Sequence, residues 1–176
     1  MNNRPNDILL LIGKIICIFM QAALVIGAIA LTIAIPVVLI FGSSVTGTGG
    51  LPADFPLWAL AAVMAVGLIM VALMFGFFDR LRRIIGTVGQ GDPFQPENAT
   101  RLSQMGWLIV GAQLMVIPAG ILAAVIAPFA DKMDNVHFTI DSGFDAEGIL
   151  LAIVLFILAR VFRHGAAMRD DLEGTV

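Results

Sequence analysis

Four long apolar runs, separated only by short charged clusters, constrain this chain more than any other feature. The first goes from Ile8 to Phe41, interrupted by Lys14, Gln21 and Thr32. As a helix it would extend about 50 Å at 1.5 Å per residue, against a hydrocarbon core of about 30 Å. Its first turns are therefore expected at the membrane interface, where Lys14 can snorkel. A secretory signal peptide fits badly, because its apolar region is usually only about 7–15 residues. Pro36 is expected to kink the outer third. The spans are expected at about 15–41, 57–78, 107–129 and 148–162. The fourth is short for a bilayer unless Arg160 snorkels or the bilayer thins locally.

Composition agrees with lipid as the solvent. The chain is 59% hydrophobic and 13% charged, where soluble domains are about 45–50% and about 25%. A net charge of −3 argues against a nucleic-acid-binding face. The single Cys17 excludes an intramolecular disulfide. The expected fold is all-α and integral to the membrane: one domain over 1–176, a four-helix bundle of two in-out-in hairpins.

Breakers mark the connections. Gly42 to Pro56 is glycine- and proline-rich and reads as a loop, after which Trp58 suits an interfacial anchor. Pro118 and Pro128 fall inside or at the end of the third span. Ala130 to Glu147 is a second polar loop. There, Val136, Phe138 and Ile140 alternate with polar residues, as in a short β segment.

Orientation follows from the basic residues. Arg4, Lys14, Arg80, Arg82, Arg83, Arg101, Arg160, Arg163 and Arg169 fall on one side and only Lys132 on the other. Both termini, the 79–106 loop and the 163–176 tail are thus expected in the cytoplasm. The outer loops carry Asp54, Asp131, Asp134, Asp141, Asp145 and Glu147.

A weak repeat relates the two hairpins. Gln21 and Gln113 are each followed fifteen residues later by a proline, Pro36 and Pro128. Arg80-x-x-Arg83 and Arg160-x-x-Arg163 end the second and fourth spans. Either a parallel duplication or a chance likeness of apolar segments accounts for this. Small residues at four-residue spacing (Ala119, Ala123 and Ala127; Ala61 and Ala65; Ala23 and Gly27) are candidate helix contacts. Gln21 and Gln113 are expected at similar depth, within reach of a mutual hydrogen bond.

The helices are expected to continue beyond the membrane into the cytoplasm. Leu81, Ile84, Ile85 and Val88 form one apolar face. Gly91-Asp92-Pro93 is a turn signal, Pro96 suits the first turn of the next helix, and Ala99, Leu102 and Met105 give its apolar face. Val161, Met168 and Leu172 make a third stripe, with Gly165 as a gap and an Arg169–Glu173 pair on the outer side. Packed together, these faces make an ordered layer. Arg80, Arg83, Phe94, Asn98, Arg160 and Arg163 are its candidate partner-binding residues. For the arginines the plain reading is the positive-inside rule; the functional one is a surface for a soluble partner or anionic lipid headgroups. Phe94 reads best as an anchor between helices.

The strings Arg80-Leu-Arg-Arg-Ile-Ile-Gly-Thr-Val, Gly91-Asp-Pro-Phe-Gln-Pro-Glu-Asn-Ala-Thr-Arg-Leu102 and Arg160-Val-Phe-Arg-His-Gly-Ala-Ala-Met-Arg resemble a bacterial membrane family, domain of unknown function twenty-nine seventy-five. The resemblance runs from about Leu9 to Val176. It implies a four-span protein of the bacterial cytoplasmic (inner) membrane with no established activity. Family genes often neighbour a small helix-turn-helix regulator, which implies a cytoplasmic partner of that kind.

No enzyme signature is visible. No Ser or Cys lies in a nucleophile motif, and no glycine-rich loop carries a phosphate-binding lysine. Cys17 reads as a packing residue and His164 as an interfacial one. Asp131-x-x-Asp134-x-x-His137 matches no established metal motif, so neither metal nor cofactor is expected. The spans show no acid or base at mid-depth, which leaves a carrier without visible coupling groups. The expected function is a non-enzymatic regulatory or scaffold protein that sits in the lipid bilayer and binds a cytoplasmic helix-turn-helix regulator. The alternative is a small transporter or a homo-oligomeric pore.

Overall fold

The computed structural model describes residues 8–46, 52, 54–130 and 146–173. They form four helices: α1 (Ile8–Val45), α2 (Leu57–Gly89), α3 (Pro96–Ala130) and α4 (Ala146–Glu173). All four are long and apolar enough to cross a membrane. None of the most apolar window of α1 is buried against protein, and side chains such as Phe19 and Ile26 are about 70% exposed. Such a surface is stable only in lipid. The chain is a multi-pass membrane protein built as an all-α four-helix bundle. The β segment expected near 136–140 lies outside the described residues.

Each helix packs on its neighbour in sequence: α1 on α2, α2 on α3, and α3 on α4. No other pair of described helices makes a close backbone approach. Gly13 lies against Ile85, Gly67 against Leu31 and Gly42 under Leu57, so α1 and α2 run antiparallel over their whole lengths. α1 continues through Pro36 and one turn past the expected boundary at Phe41.

The two hairpins differ in a way that matters. Gly148, near the start of α4, abuts Gln113 in the middle of α3. From there α3 runs on for roughly 25 Å at 1.5 Å per residue. α4 therefore pairs with only one half of α3, whereas α2 pairs with all of α1. Glu147, expected on the outer surface, is instead level with Gln113.

The glutamine pair does not form as expected. Gln21 is buried on α1 and, by the contacts above, level with Phe77 and Phe78. Leu73 lies against Gly111, which puts Gln113 roughly two turns (about 10 Å) away along α2. α1 and α3 do not approach each other.

Two apolar cores hold α2 and α3 together at their ends. Phe55, Ala59 and Ile126 form one, closed by the edge-on contact of Phe55 with Phe129 at 5.9 Å. Ile84, Leu102, Met105, Ile109, Ala152, Leu155 and Ala159 form the larger one, where α4 joins. Small residues do mediate the helix contacts. Of the alanines expected at helix contacts Ala61 is buried, and Ala59, Ala99, Ala112, Ala152, Ala159 and Ala166 are buried as well; the Ala119–Ala123–Ala127 stripe is only half-buried.

Candidate functional site

The candidate residues gather at the end of the bundle that carries Arg80, Arg101 and Arg160, here called the basic end. Both helix continuations expected there are present. α2 runs unbroken to Gly89, and Ile84 is buried among Leu81 and Val88. The chain then turns through Gly91, whose φ of 84° favours glycine. The Gly91 and Asp92 amides donate to the Val88 and Thr87 carbonyls, closing a Schellman-type cap. Pro96 begins α3 with Glu97 in its first turn, where a carboxylate complements the helix dipole. Ala99, Leu102 and Met105 are buried, as their spacing predicts.

Asn98 pins this turn. It is fully buried. Its Nδ2 donates to Thr87 Oγ1 at 2.8 Å and to the Pro93 carbonyl at 3.0 Å. Its Oδ1 accepts from Arg101 Nη1 at 2.8 Å. One side chain thus ties the end of α2, the turn and the start of α3 together. The expectation that Asn98 meets a partner is corrected here: it faces inward and has no free surface.

Phe94 fastens α4 to the turn. Its ring lies 5.4 Å from that of Phe162 and fills the space over Gly165. The other side of the ring stays 43% exposed, so Phe94 is both an anchor and a surface. Arg169 Nη1 donates to Asp92 Oδ1, adding a second link between α4 and the turn. The partner expected for Arg169, Glu173, has no described side chain. The expected stripe on α4 is also corrected. Val161 and Met168 are more than half exposed, and the face that packs on α3 is Ala152, Leu155, Ala159 and Ala166 with Phe162.

The four candidate arginines fall into two environments. Arg80 folds along α2, donating from Nη1 to the Gly76 carbonyl and from Nε to Gln104 on α3, both at 2.9 Å. Arg83 pairs with Asp79 at 2.8 Å, and Arg82 reaches the other oxygen of that carboxylate at 3.3 Å. Arg80 and Arg83 line a polar groove of about 340 Å³ with Asp79, Glu97, Arg101 and Gln104. Arg160 and Arg163 are exposed on α4 and make no ion pair with any acid among the described residues. With Phe94, His164 and Val161 they line a separate open groove of about 1020 Å³. The repeated Arg-x-x-Arg therefore serves two different surfaces. No cluster of metal-ligating side chains occurs among the described residues; Asp131, Asp134 and His137 lie outside them.

The importance of Gly165 was not apparent from sequence, where it counts only as a weak point in a helix. Its signal is the pairing of a helical glycine with the aromatic Phe94 in the adjoining turn, which spacing along one strand of sequence cannot show.

No curated protein and no solved structure matches the chain. A family profile described as a protein of unknown function, DUF2975, matches residues 51–176. The match takes in α2, α3, α4 and every candidate residue above, and is narrower than the resemblance read back to Leu9. The chain belongs to the DUF2975 family of proteins of unknown function.

Proposed function

We propose that this protein is a non-enzymatic regulatory or scaffold protein of the bacterial cytoplasmic membrane, and that the basic end docks a soluble cytoplasmic partner. The supporting observation is the fastened layer itself. Asn98, Phe94 and the Asp92–Arg169 pair hold three helix ends in fixed relation. A short inter-helix connection needs no such fastening merely to join two spans, whereas a docking surface gains from being pre-organised. Its polar groove mixes cations (Arg80, Arg83, Arg101) with Asp79 and Glu97, a pattern suited to a complementary charged protein face. Orientation rests on the positive-inside rule, which puts both termini in the cytoplasm. A helix-turn-helix regulator is the partner that the family resemblance suggests.

Affinity purification of the full-length protein from native membranes tests this reading. A helix-turn-helix protein is expected at a stoichiometric ratio, and Arg80→Glu with Arg83→Glu is expected to lose it. Equal recovery by that variant contradicts the docking surface.

One observation favours the transporter reading. Glu147 and Gln113 stand level with each other about half-way along α3, where polar groups mark transport paths. Solute flux in liposomes from the purified protein alone, abolished by Glu147→Gln, would favour it over the scaffold.

A further inference from the structure

We propose that the outer face of α4 at the basic end is a binding site for an anionic membrane phospholipid, with Arg160 and Arg163 holding its phosphate. Ile157, Arg160, Val161, His164 and Met168 follow one another at i, i+3, i+4, i+7 and i+11, which is one stripe of a helix. All are exposed. α4 turns Ala152, Leu155, Ala159 and Ala166 toward α3 and the core it shares with α2, and its backbone closely approaches no described helix but α3, so this stripe faces away from the protein. Arg163 lies one turn from Arg160 at its flank.

The depth is that of lipid headgroups. Phe156 packs against Gly106 and Trp107, and Arg80 meets Gln104. Arg160 is therefore level with the charged Asp79–Arg83 cluster of α2, about one turn beyond its uncharged part. On one side of it, Ile157 and Val154 are exposed along the apolar part of α4. On the other, Asp171 is three turns further along.

Charge singles out this pair. Every other described arginine is engaged by the protein: Arg80 by Gln104, Arg82 and Arg83 by Asp79, Arg101 by Asn98, and Arg169 by Asp92. Arg160 and Arg163 have no such acceptor. A guanidinium at a lipid-facing surface is matched by phosphate, which it can grip through two parallel N–H bonds. The apolar floor of Ile157 and Val161 suits the glycerol and upper acyl carbons of the same molecule, which a free anion or a soluble protein would leave bare. The site is distinct from the polar groove between α2 and α3, and does not depend on a partner docking there.

Quenching of Trp107 by brominated lipid reads this site directly, because its indole packs on Phe156, one turn from Arg160. The full chain with Trp58→Phe, in mixed micelles, is titrated with dibrominated phosphatidylglycerol or dibrominated phosphatidylcholine. The anionic lipid is expected to quench at a roughly tenfold lower mole fraction. Arg160→Gln with Arg163→Gln brings the two curves together; Arg82→Gln with Arg83→Gln leaves them apart. Arg160→Lys with Arg163→Lys keeps part of the gap, which excludes misfolding as the cause of its loss. The proposal fails if the unsubstituted curves coincide or if the gap survives Arg160→Gln with Arg163→Gln. It also fails if inorganic phosphate closes the gap where chloride of equal ionic strength does not, since the ligand is then a free anion.

Discussion

Phe94 occupies the notch that Gly165 leaves in α4: a Cβ on that glycine would stand 2.7 Å from the ring's Cδ1. Alanine in a helix is better than glycine by about 1 kcal/mol, but here it must displace an aromatic ring from Phe162. Overpacking of this kind costs about 1–3 kcal/mol. Gly165→Ala is therefore expected to lower the melting midpoint in detergent. In a Phe94→Leu background the same substitution is expected to be neutral or stabilising. A Gly165→Ala protein that melts higher by itself would show that Phe94 is not seated there.

Asn98 is expected to be the most sensitive polar residue of the layer. Asn98→Ala removes bonds to Thr87 and the Pro93 carbonyl and strands Arg101. Lost buried partners of this kind cost about 1–3 kcal/mol. Hydrogen exchange should show faster exchange of the amides from 84 to 102, with little change in 57–75. Unchanged protection across 84–102 would contradict the pinning role.

Asp79 is expected to matter little for stability despite its two arginines. Arg82 and Arg83 are 41% and 60% exposed, so solvent screens both pairs. Asp79→Asn should shift unfolding by less than about 1 kcal/mol, measured by denaturation in mixed micelles. A larger loss would mean that this carboxylate is a structural keystone.

Gly148→Ala tests where α4 begins. Its Cβ would collide with the side-chain amide of Gln113, so the amide must swing away. A lower melting midpoint is expected, with the loss cancelled in a Gln113→Ala background. If Gln113→Ala leaves the effect of Gly148→Ala unchanged, α4 does not start against Gln113.

Much of this architecture was legible in the sequence, because membrane spans and helix caps are written locally. Long, nearly uncharged apolar runs marked the four helices, and the Gly91-Asp-Pro turn followed by Pro96 marked the break between α2 and α3. Ala99, Leu102 and Met105 announced their burial by helical period. What depended on three dimensions was not legible. The packing face of α4 was misread because its exposed stripe is as apolar as the buried one; Val161 and Met168 differ from Leu155 in location, not in character. Asn98 looked like a surface group, since its buried partners come from Thr87 eleven residues back and from a backbone carbonyl. The half-depth start of α4 depends on the register between α3 and α4, and no residue spacing encodes it.

We propose that α2, α3 and α4 continue past the membrane into a fastened layer on its cytoplasmic side. Gln90, exposed at the cap of α2, is the place to test it. With Cys17→Ser and Gln90→Cys in the full chain, a membrane-impermeant maleimide is applied to intact cells and to inverted membrane vesicles. The account predicts labelling in inverted vesicles and none in intact cells. Labelling of intact cells would place the layer outside and contradict it.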